Sequence, residues 1–211
     1  MKQANDLTPI LVLPDIHGCA SLLNQALYPH LGSGAEIIFL GDLVDRAPEP
    51  DGDRMVIEIV RDLQENPEVY GLGKTTVLRG NHEALLLDAL REGGNGPATR
   101  LWLHNGGDRD FLPLAKQHRD WLEALPVLAI RGKYLFVHAG VRPGVPLEGQ
   151  SSDDLLWIRE PFLSQDHDLP YVVVHGHSFK PDFEIDVLPH RIGLDTGAFR
   201  SGRLEAYPLT V

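Results

Sequence analysis

The chain has 211 residues, enough for one domain (1–211) with a sizeable core, and its 30 acidic against 19 basic residues give a formal net charge of -11. A surface that acidic repels polyanions, which excludes nucleic acid and anionic membranes as expected partners and means that a phosphate ligand must meet a local positive device. The one cysteine, Cys19, cannot form an intrachain disulfide, and the apolar run Leu7–Leu13 is too short to span a membrane and lacks secretory flanks, so a cytoplasmic protein is expected.

In chain order, Ile10-Leu11-Val12-Leu13 reads as a buried strand, and Ser21 is placed to cap a helix reaching about His30. Glu36 to Leu40 is a second buried strand. Asp53 to Glu65 carries Met55, Val56, Ile59, Val60 and Leu63 at helical spacing. Thr75 to Leu78 is a third strand and Glu83 to Arg91 a third helix. This βαβαβ opening predicts a parallel sheet with right-handed crossovers. Two helical patches, 100–117 and 119–124, lead to strands at 127–131 and 134–138 joined by a Gly132-Lys133 turn. Short strands follow at 171–174, 183–187, 191–194 and 204–209, and their turn-linked order suggests antiparallel pairing. Residues 142–153 and 160–170 read as surface loops. The expected fold class is α/β, with two packed mixed β-sheets flanked by helices.

Polar residues cluster where these strands end. The first strand is followed by Asp15-Ile16-His17-Gly18 and the second by Gly41-Asp42-Leu43-Val44-Asp45-Arg46. The third leads to Arg79-Gly80-Asn81-His82-Glu83, and later strands end at His138 and at His175-Gly176-His177. In open α/β sheets, ligands bind beyond the carboxyl ends of the strands, so these clusters should converge. Taken singly, Asp-x-His or Gly-Asp is no more than a cap or a turn. Five such clusters on successive strand ends point to a metal site. Asp15 and His17 can face one side, Asp42 can bridge two cations, and Asn81, His138 and His177 add a carbonyl and two imidazoles. Mixed oxygen and nitrogen ligands without thiolate suit manganese, iron or zinc.

The motifs at 15–18, 41–46 and 78–83, with the His138 and His177 segments, resemble those of the phosphoprotein phosphatases within the calcineurin-like metallophosphoesterases. The segments Trp102–Gly107 and Leu156–Glu160 resemble the bacterial branch of that family. The resemblance implies the calcineurin-like fold and two divalent metal ions, manganese first, with iron or zinc as alternatives. It implies that Asp15 and His17 bind one ion, Asp42 bridges, and Asn81, His138 and His177 bind the other. By the same resemblance His82 is the general acid, oriented by Asp45, which should raise the imidazole pKa. Arg46 holds the phosphate and Arg159 is the second clamp.

The implied reaction is direct attack on a phosphomonoester by a metal-bridging hydroxide, without a phosphoenzyme. The implied substrates are phosphoserine or phosphothreonine in proteins, with phosphotyrosine or a small phosphate ester as further candidates. A dinucleoside polyphosphate hydrolase is the alternative, and a non-catalytic phosphate-binding regulator a remote one. The chain departs from the family at Ala47, where glycine is usual. His175 competes with His177 for one ligand position, and the preceding Gly176 favours His177. Cys19, with no arginine near it in sequence, reads as a small buried residue rather than a nucleophile.

Overall fold

A computed structural model describes residues 9–210, so Leu7 and Thr8 of the first apolar run lie outside the described residues. The first strand, β1 (Pro9–Leu13), is followed by α1 (Ala20–Leu27), β2 (Glu36–Phe39), α2 (Gly52–Glu65), β3 (Thr75–Val77) and α3 (Asn81–Arg91). Strands β1, β2 and β3 pair in parallel, with Leu13 beside Phe39 and Phe39 beside Val77, so they end level with one another. The βαβαβ opening is as expected. The helix α1 is not capped by Ser21. It begins at Ala20, and the Ser21 hydroxyl donates to Glu49 Oε2 at 2.7 Å.

The helical patch expected over 100–117 is broken. Helix α4 (Pro97–His104) stops at Asn105-Gly106-Gly107, and a 3-10 turn (Arg109–Phe111) precedes α5 (Leu112–Gln117). Gly106 has φ 106°, a conformation that a side chain at this position would oppose. Helix α6 (Arg119–Ala124) then leads to the hairpin of β4 (Leu128–Arg131) and β5 (Tyr134–Val137). A short helix unforeseen in the sequence, α7 (Ser152–Trp157), follows, capped by the Ser151 hydroxyl, which accepts from Asp154 N at 3.0 Å.

The chain continues through β6 (Val172–His175), β7 (Asp186–Val187), β8 (Arg191–Gly193), α8 (Ala198–Ser201) and β9 (Tyr207–Thr210). One sheet has the order β3-β2-β1-β9 and the other β4-β5-β6-β8-β7. The expected antiparallel pairing of consecutive strands holds for β4–β5 and β7–β8, and β9 pairs antiparallel with β1 in the first sheet, which was not expected, but β5, β6 and β8 run parallel. The reason is the connection between β5 and β6. It carries α7 and is long enough to return the chain to the starting edge, which a turn cannot do. The segment 160–170 is also more than a surface loop, because Phe162 and His167 are buried.

Alternation along the strands explains the layering. Ile10, Val12, Ile38, Phe136, Val174 and Ile192 turn inward and form the core between the sheets. Leu11, Leu13, Ile37, Phe39 and Val77 turn outward against the helices of the first half. Leu135, Val137 and Val173 meet Leu155, Ile158 and Phe162 on the far side. The parallel strands of both sheets thus deliver their carboxyl ends to one edge. No helix among the described residues is long and apolar enough to cross a membrane.

Phe136 has no solvent exposure and sits between the sheets. Phe136→Ala should cost about 3–5 kcal/mol, read as a lower midpoint in chemical denaturation with an unchanged slope.

Candidate active site

The strand ends meet in a cleft of about 620 Å³ lined by Asp15, His17, Asp42, Asn81, His82 and His177, with Arg46 and Arg159 among the other lining residues. His138 is buried beside it, with Nε2 3.4 Å from Asp42 Oδ2. His17 Nε2 and His82 Nε2 lie 3.7 and 3.9 Å from the same oxygen. Asp42 is therefore the point on which the imidazoles converge. Two groups of side chains could each hold a metal ion, His17–Asp42–His82 and Asp42–His138–His177. Asp15 belongs to neither group. Both its oxygens accept from the His177 amide, at 3.0 and 3.1 Å, which ties the first strand of one sheet to the edge of the other.

The backbone that presents these groups is unusual. His17, Asp42, Asp45, Arg46 and His177 all lie in the left-handed region, with φ values of 49°, 52°, 70°, 62° and 63°. Such residues persist only where surrounding contacts hold them. Here Ile16 N and His17 N donate to the Asp42 carbonyl at 2.9 and 3.0 Å, and Arg46 N donates to the Gly106 carbonyl at 3.0 Å. The fully buried Glu83 accepts from Asp42 N, Leu43 N and Gly80 N at 2.9, 2.8 and 2.8 Å. By accepting from the Gly80 amide it caps the start of α3 from the third helical position, so that the helix starts at Asn81 rather than Glu83 and Asn81 and His82 occupy its first turn.

Nδ1 of His138 donates to the Leu40 carbonyl at 3.0 Å, leaving Nε2 with a bare lone pair in the neutral ring. That lone pair stands 2.7 Å from Asn81 Oδ1, another acceptor, and His177 Nδ1 stands 2.9 Å from the same oxygen. His177 Nε2 is buried with no hydrogen-bond partner. Acceptors crowded in this way fit a cation among them. The charges fit it too. Burial, then Asp195 for Asp15 and Asp15 for Asp42, pushes both carboxyls well above the usual range. Burial, then Arg46 for His17 and Arg159 for His177, brings these imidazoles down to about 3. A divalent cation would relieve both, by ionising the acids and using the imidazole lone pairs.

His82 Nδ1 is 2.6 Å from Asp45 Oδ2, and Trp102 Nε1 donates to both Asp45 oxygens at 2.8 and 3.0 Å. The expectation that Asp45 raises the His82 pKa is not met. Burial, then neighbouring His17 and Arg46, pushes His82 down, and Asp45 is a weak counter-charge because burial and Asp53 push its own carboxyl up. Arg46 donates from Nε to the Asn105 carbonyl and from Nη1 to His17 Nε2, both at 3.1 Å, and lies 5.0 Å over the Phe199 ring. Arg159 is exposed at the rim and donates to Ser178 Oγ at 2.8 Å.

His175 does not line the cleft. It is buried edge-on to Phe162, with Nδ1 donating to the Gly176 carbonyl at 3.0 Å. Cys19 is buried, with its thiol pushed up to about 11 by burial and the charges of Glu49 and Asp53, so it has no thiolate character.

Sequence reasoning missed four residues of this region. Glu83 and Trp102 lay inside quoted motifs, but only the fold shows what they hold. Asp195, which lines the cleft and is pushed up to about 6 by burial, follows a strand end as the others do and could have been found by that signal. Asp53 looked like the polar start of a helix. It is buried, and its Oδ1 has no hydrogen-bond partner.

A two-sheet core whose strand ends gather aspartates, an asparagine, histidines and arginines in one cleft defines a metal-dependent phosphoric ester hydrolase. The chain belongs to the calcineurin-like phosphoesterase family, whose model matches residues 8–197. Serine/threonine-protein phosphatase 1 of Salmonella typhimurium strain LT2 is 29% identical over 179 residues, which are 77% of this chain and 74% of that one. A symmetrical bis(5'-nucleosyl)-tetraphosphatase of Janthinobacterium sp. strain Marseille is 32% identical over 135 residues, 61% of this chain but 42% of that protein's length. A solved structure described as that of a candidate diadenosine tetraphosphatase superposes with a TM-score of 0.68 at 23% identity, covering 98% of this chain and 94% of the other, and shares its fold.

Glu83→Ala would leave the Asp42, Leu43 and Gly80 amides unpaired in the interior. A loss of at least ~3 kcal/mol is expected in chemical denaturation, and a near-native midpoint would show that other groups hold these turns.

Asp53 is pushed up from 3.8 to about 7 by burial, with Asp108 adding to the shift. A carboxyl raised in the folded state is destabilising once ionised. The penalty is absent below the unfolded pKa, grows as pH rises, and is complete above about 7. Asp53→Asn should therefore raise stability by roughly 2 kcal/mol or more at high pH and by little near pH 4. Melting curves at the two pH values, compared with wild type, check this.

Proposed function

We propose that the protein hydrolyses phosphomonoesters, with phosphoserine and phosphothreonine in proteins as its substrate class. The observation that carries this reading is the shared cleft, where the Asp45-held imidazole of His82 opens onto the same space as Arg46 and Arg159. Asp15 and His17 would hold one divalent ion with Asp42 between, and Asn81, His138 and His177 the other. Manganese is the first expectation. When bound, such ions supply Lewis acidity toward phosphoryl oxygens and toward an attacking water.

This chain's own residues do the rest. The planar guanidinium of Arg46, braced by Asn105, Gly106 and Phe199, offers paired donors to phosphoryl oxygens. Arg159 closes from the rim. His82 donates a proton to the departing oxygen, and Asp45, held by Trp102, keeps its ring aimed. Burial, His17 and Arg46 disfavour the protonated ring, whereas the charge of an entering phosphate dianion favours it, so His82 takes its proton from solvent as the substrate binds.

The similarity to a serine/threonine-protein phosphatase over three quarters of both chains supports the protein substrate. The 32% identity to a symmetrical tetraphosphatase keeps dinucleoside polyphosphates as the second reading.

The manganese-loaded protein should turn over a phosphoserine peptide faster than diadenosine tetraphosphate. The opposite order would favour the second reading, and no turnover of either or of a small aryl phosphate would leave no enzyme to assign. His82→Ala should slow the phosphoserine peptide by about 10²–10⁴-fold and p-nitrophenyl phosphate much less, because only the alkoxide needs the proton. Equal slowing would remove His82 from that role.

A further inference from the structure

Across Arg46 from the phosphate cleft lies a second cavity of about 600 Å³, and the two share Arg46 and Gly106 as their common wall. Glu49, Asp51, Asp53, Asp108 and Asp110 line it, with Arg46 and Arg54 as its cations. Both cations are already engaged, Arg54 in part by an acid of this same cavity. Arg54 lies 3.4 Å from Asp51 and 3.1 Å from Glu58, and Arg46 is held by Asn105 and His17. Glu49 is engaged by the backbone and hydroxyl of Ser21.

Asp53 is different. It is only 7% exposed, it lines the cavity, and its buried Oδ1 accepts no hydrogen bond. Burial pushes it up to about 7, with Asp108 adding to the shift, even though the Asp45 backbone donates to the carboxyl, as expected of a group lacking a counter-charge. A buried carboxylate oxygen without a donor, in a cavity whose other acids outnumber its cations, points to a cation supplied from outside.

The cation could be a metal ion or a side chain. Among the described residues, the groups whose ligand atoms approach within 4.8 Å of one another are the two in the cleft, and none is in this cavity. No three of its carboxylates therefore gather closely enough to cage an ion, whereas a long cationic side chain needs only one of them at its end. We propose that the cavity is a specificity subsite that receives the guanidinium or ammonium group of an Arg or Lys flanking the phosphorylated residue of a peptide substrate. This rests on the phosphomonoesterase reading above. With the phosphate against Arg46 in the cleft, the flanking side chain crosses the shared wall. A dinucleoside polyphosphate, anionic along its phosphate chain, is repelled by the same acids, so the subsite also selects against that class.

The test uses two phosphoserine peptides identical except for Arg or Gln on both flanks, with p-nitrophenyl phosphate as a reference lacking flanking groups. The manganese-loaded wild type should favour the Arg peptide by about three- to tenfold in kcat/KM, chiefly through KM, and less as salt rises. That ratio should fall toward one in Asp53→Asn, and also in Asp108→Asn combined with Asp110→Asn, whose exposed positions do not threaten the fold. A ratio of one in the wild type, or a preference that survives both variants, overturns the proposal. Equal peptides together with a further calcium ion, seen calorimetrically in the wild type and lost in Asp53→Asn, would give the cavity to an ion and overturn it as well. Turnover of none of the three compounds would instead strike the phosphomonoesterase reading on which it rests.

Discussion

The carboxylate of Glu83, sealed from solvent, accepts from the backbone amides of Asp42, Leu43 and Gly80, and most of the site hangs on that arrangement. It binds the turn after the second strand to the turn after the third. Asp42 is thereby held in a left-handed conformation, its side chain accepts from the His82 amide at 2.9 Å, and its carbonyl receives the amides of Ile16 and His17. Two strand ends are thus locked together by one side chain that need not touch a ligand, and the Asp42 carbonyl adds a third. Gly41 completes the knot. It has φ 97°, and a Cβ there would fall 2.3 Å from the Gly80 amide, so no side chain fits between the two turns.

A second buttress comes from the interrupted helix after 104. Trp102 holds Asp45, and Asn105 and Gly106 hold Arg46, so neighbouring residues with left-handed backbones are braced by one short segment. The break at Asn105-Gly106-Gly107 is therefore part of the site. A continuous helix would carry these carbonyls away from Arg46. The cleft edge gathers buried acids whose pKa values are driven up and imidazoles whose values are driven down, an arrangement unfavourable to folding on its own and relieved by cations. In a chain with a net charge of -11, such cations and the two arginines would give a phosphate the local positive charge it needs to approach.

The relatives differ in what their names say is attached to phosphorus. The cleft residues specify how phosphorus is attacked, so they do not separate a phosphoprotein from a dinucleotide. The acidic cavity beyond Arg46 does bear on that choice. With five acids against two arginines, it offers a flanking cation a place to settle and disfavours a chain of phosphates. Asp53, which carries an ionisation penalty in the fold, gains a use there, in keeping with the common trade of stability for function.

The first sheet, the convergence of the strand ends and the polar clusters were legible in the sequence, because each depends on local pattern. Alternating apolar runs dictate buried strands, and short linkers through helices dictate parallel neighbours. The parallel course of β5, β6 and β8 was not legible, since direction depends on where a long connection returns, and periodicity carries no such information. Nor was α7, which lay in what read as a surface loop. Within the site, residue types marked Asp42, His82 and Arg46, but the supporting atoms come from far along the chain. Glu83 reaches back 40 residues to Leu43, and Trp102 reaches back 57 to Asp45. Sequence alone determined which chemistry is present, because in this class of sheet ligands bind beyond the carboxyl ends of the strands, where the polar clusters fall. Tertiary structure alone decided what holds each group in place and that Asp53 is buried with one carboxylate oxygen lacking a donor, while it set His177 rather than His175 in the cleft, as Gly176 had favoured. Those outcomes depend on packing between segments whose spacing in the chain says nothing of their distance in space.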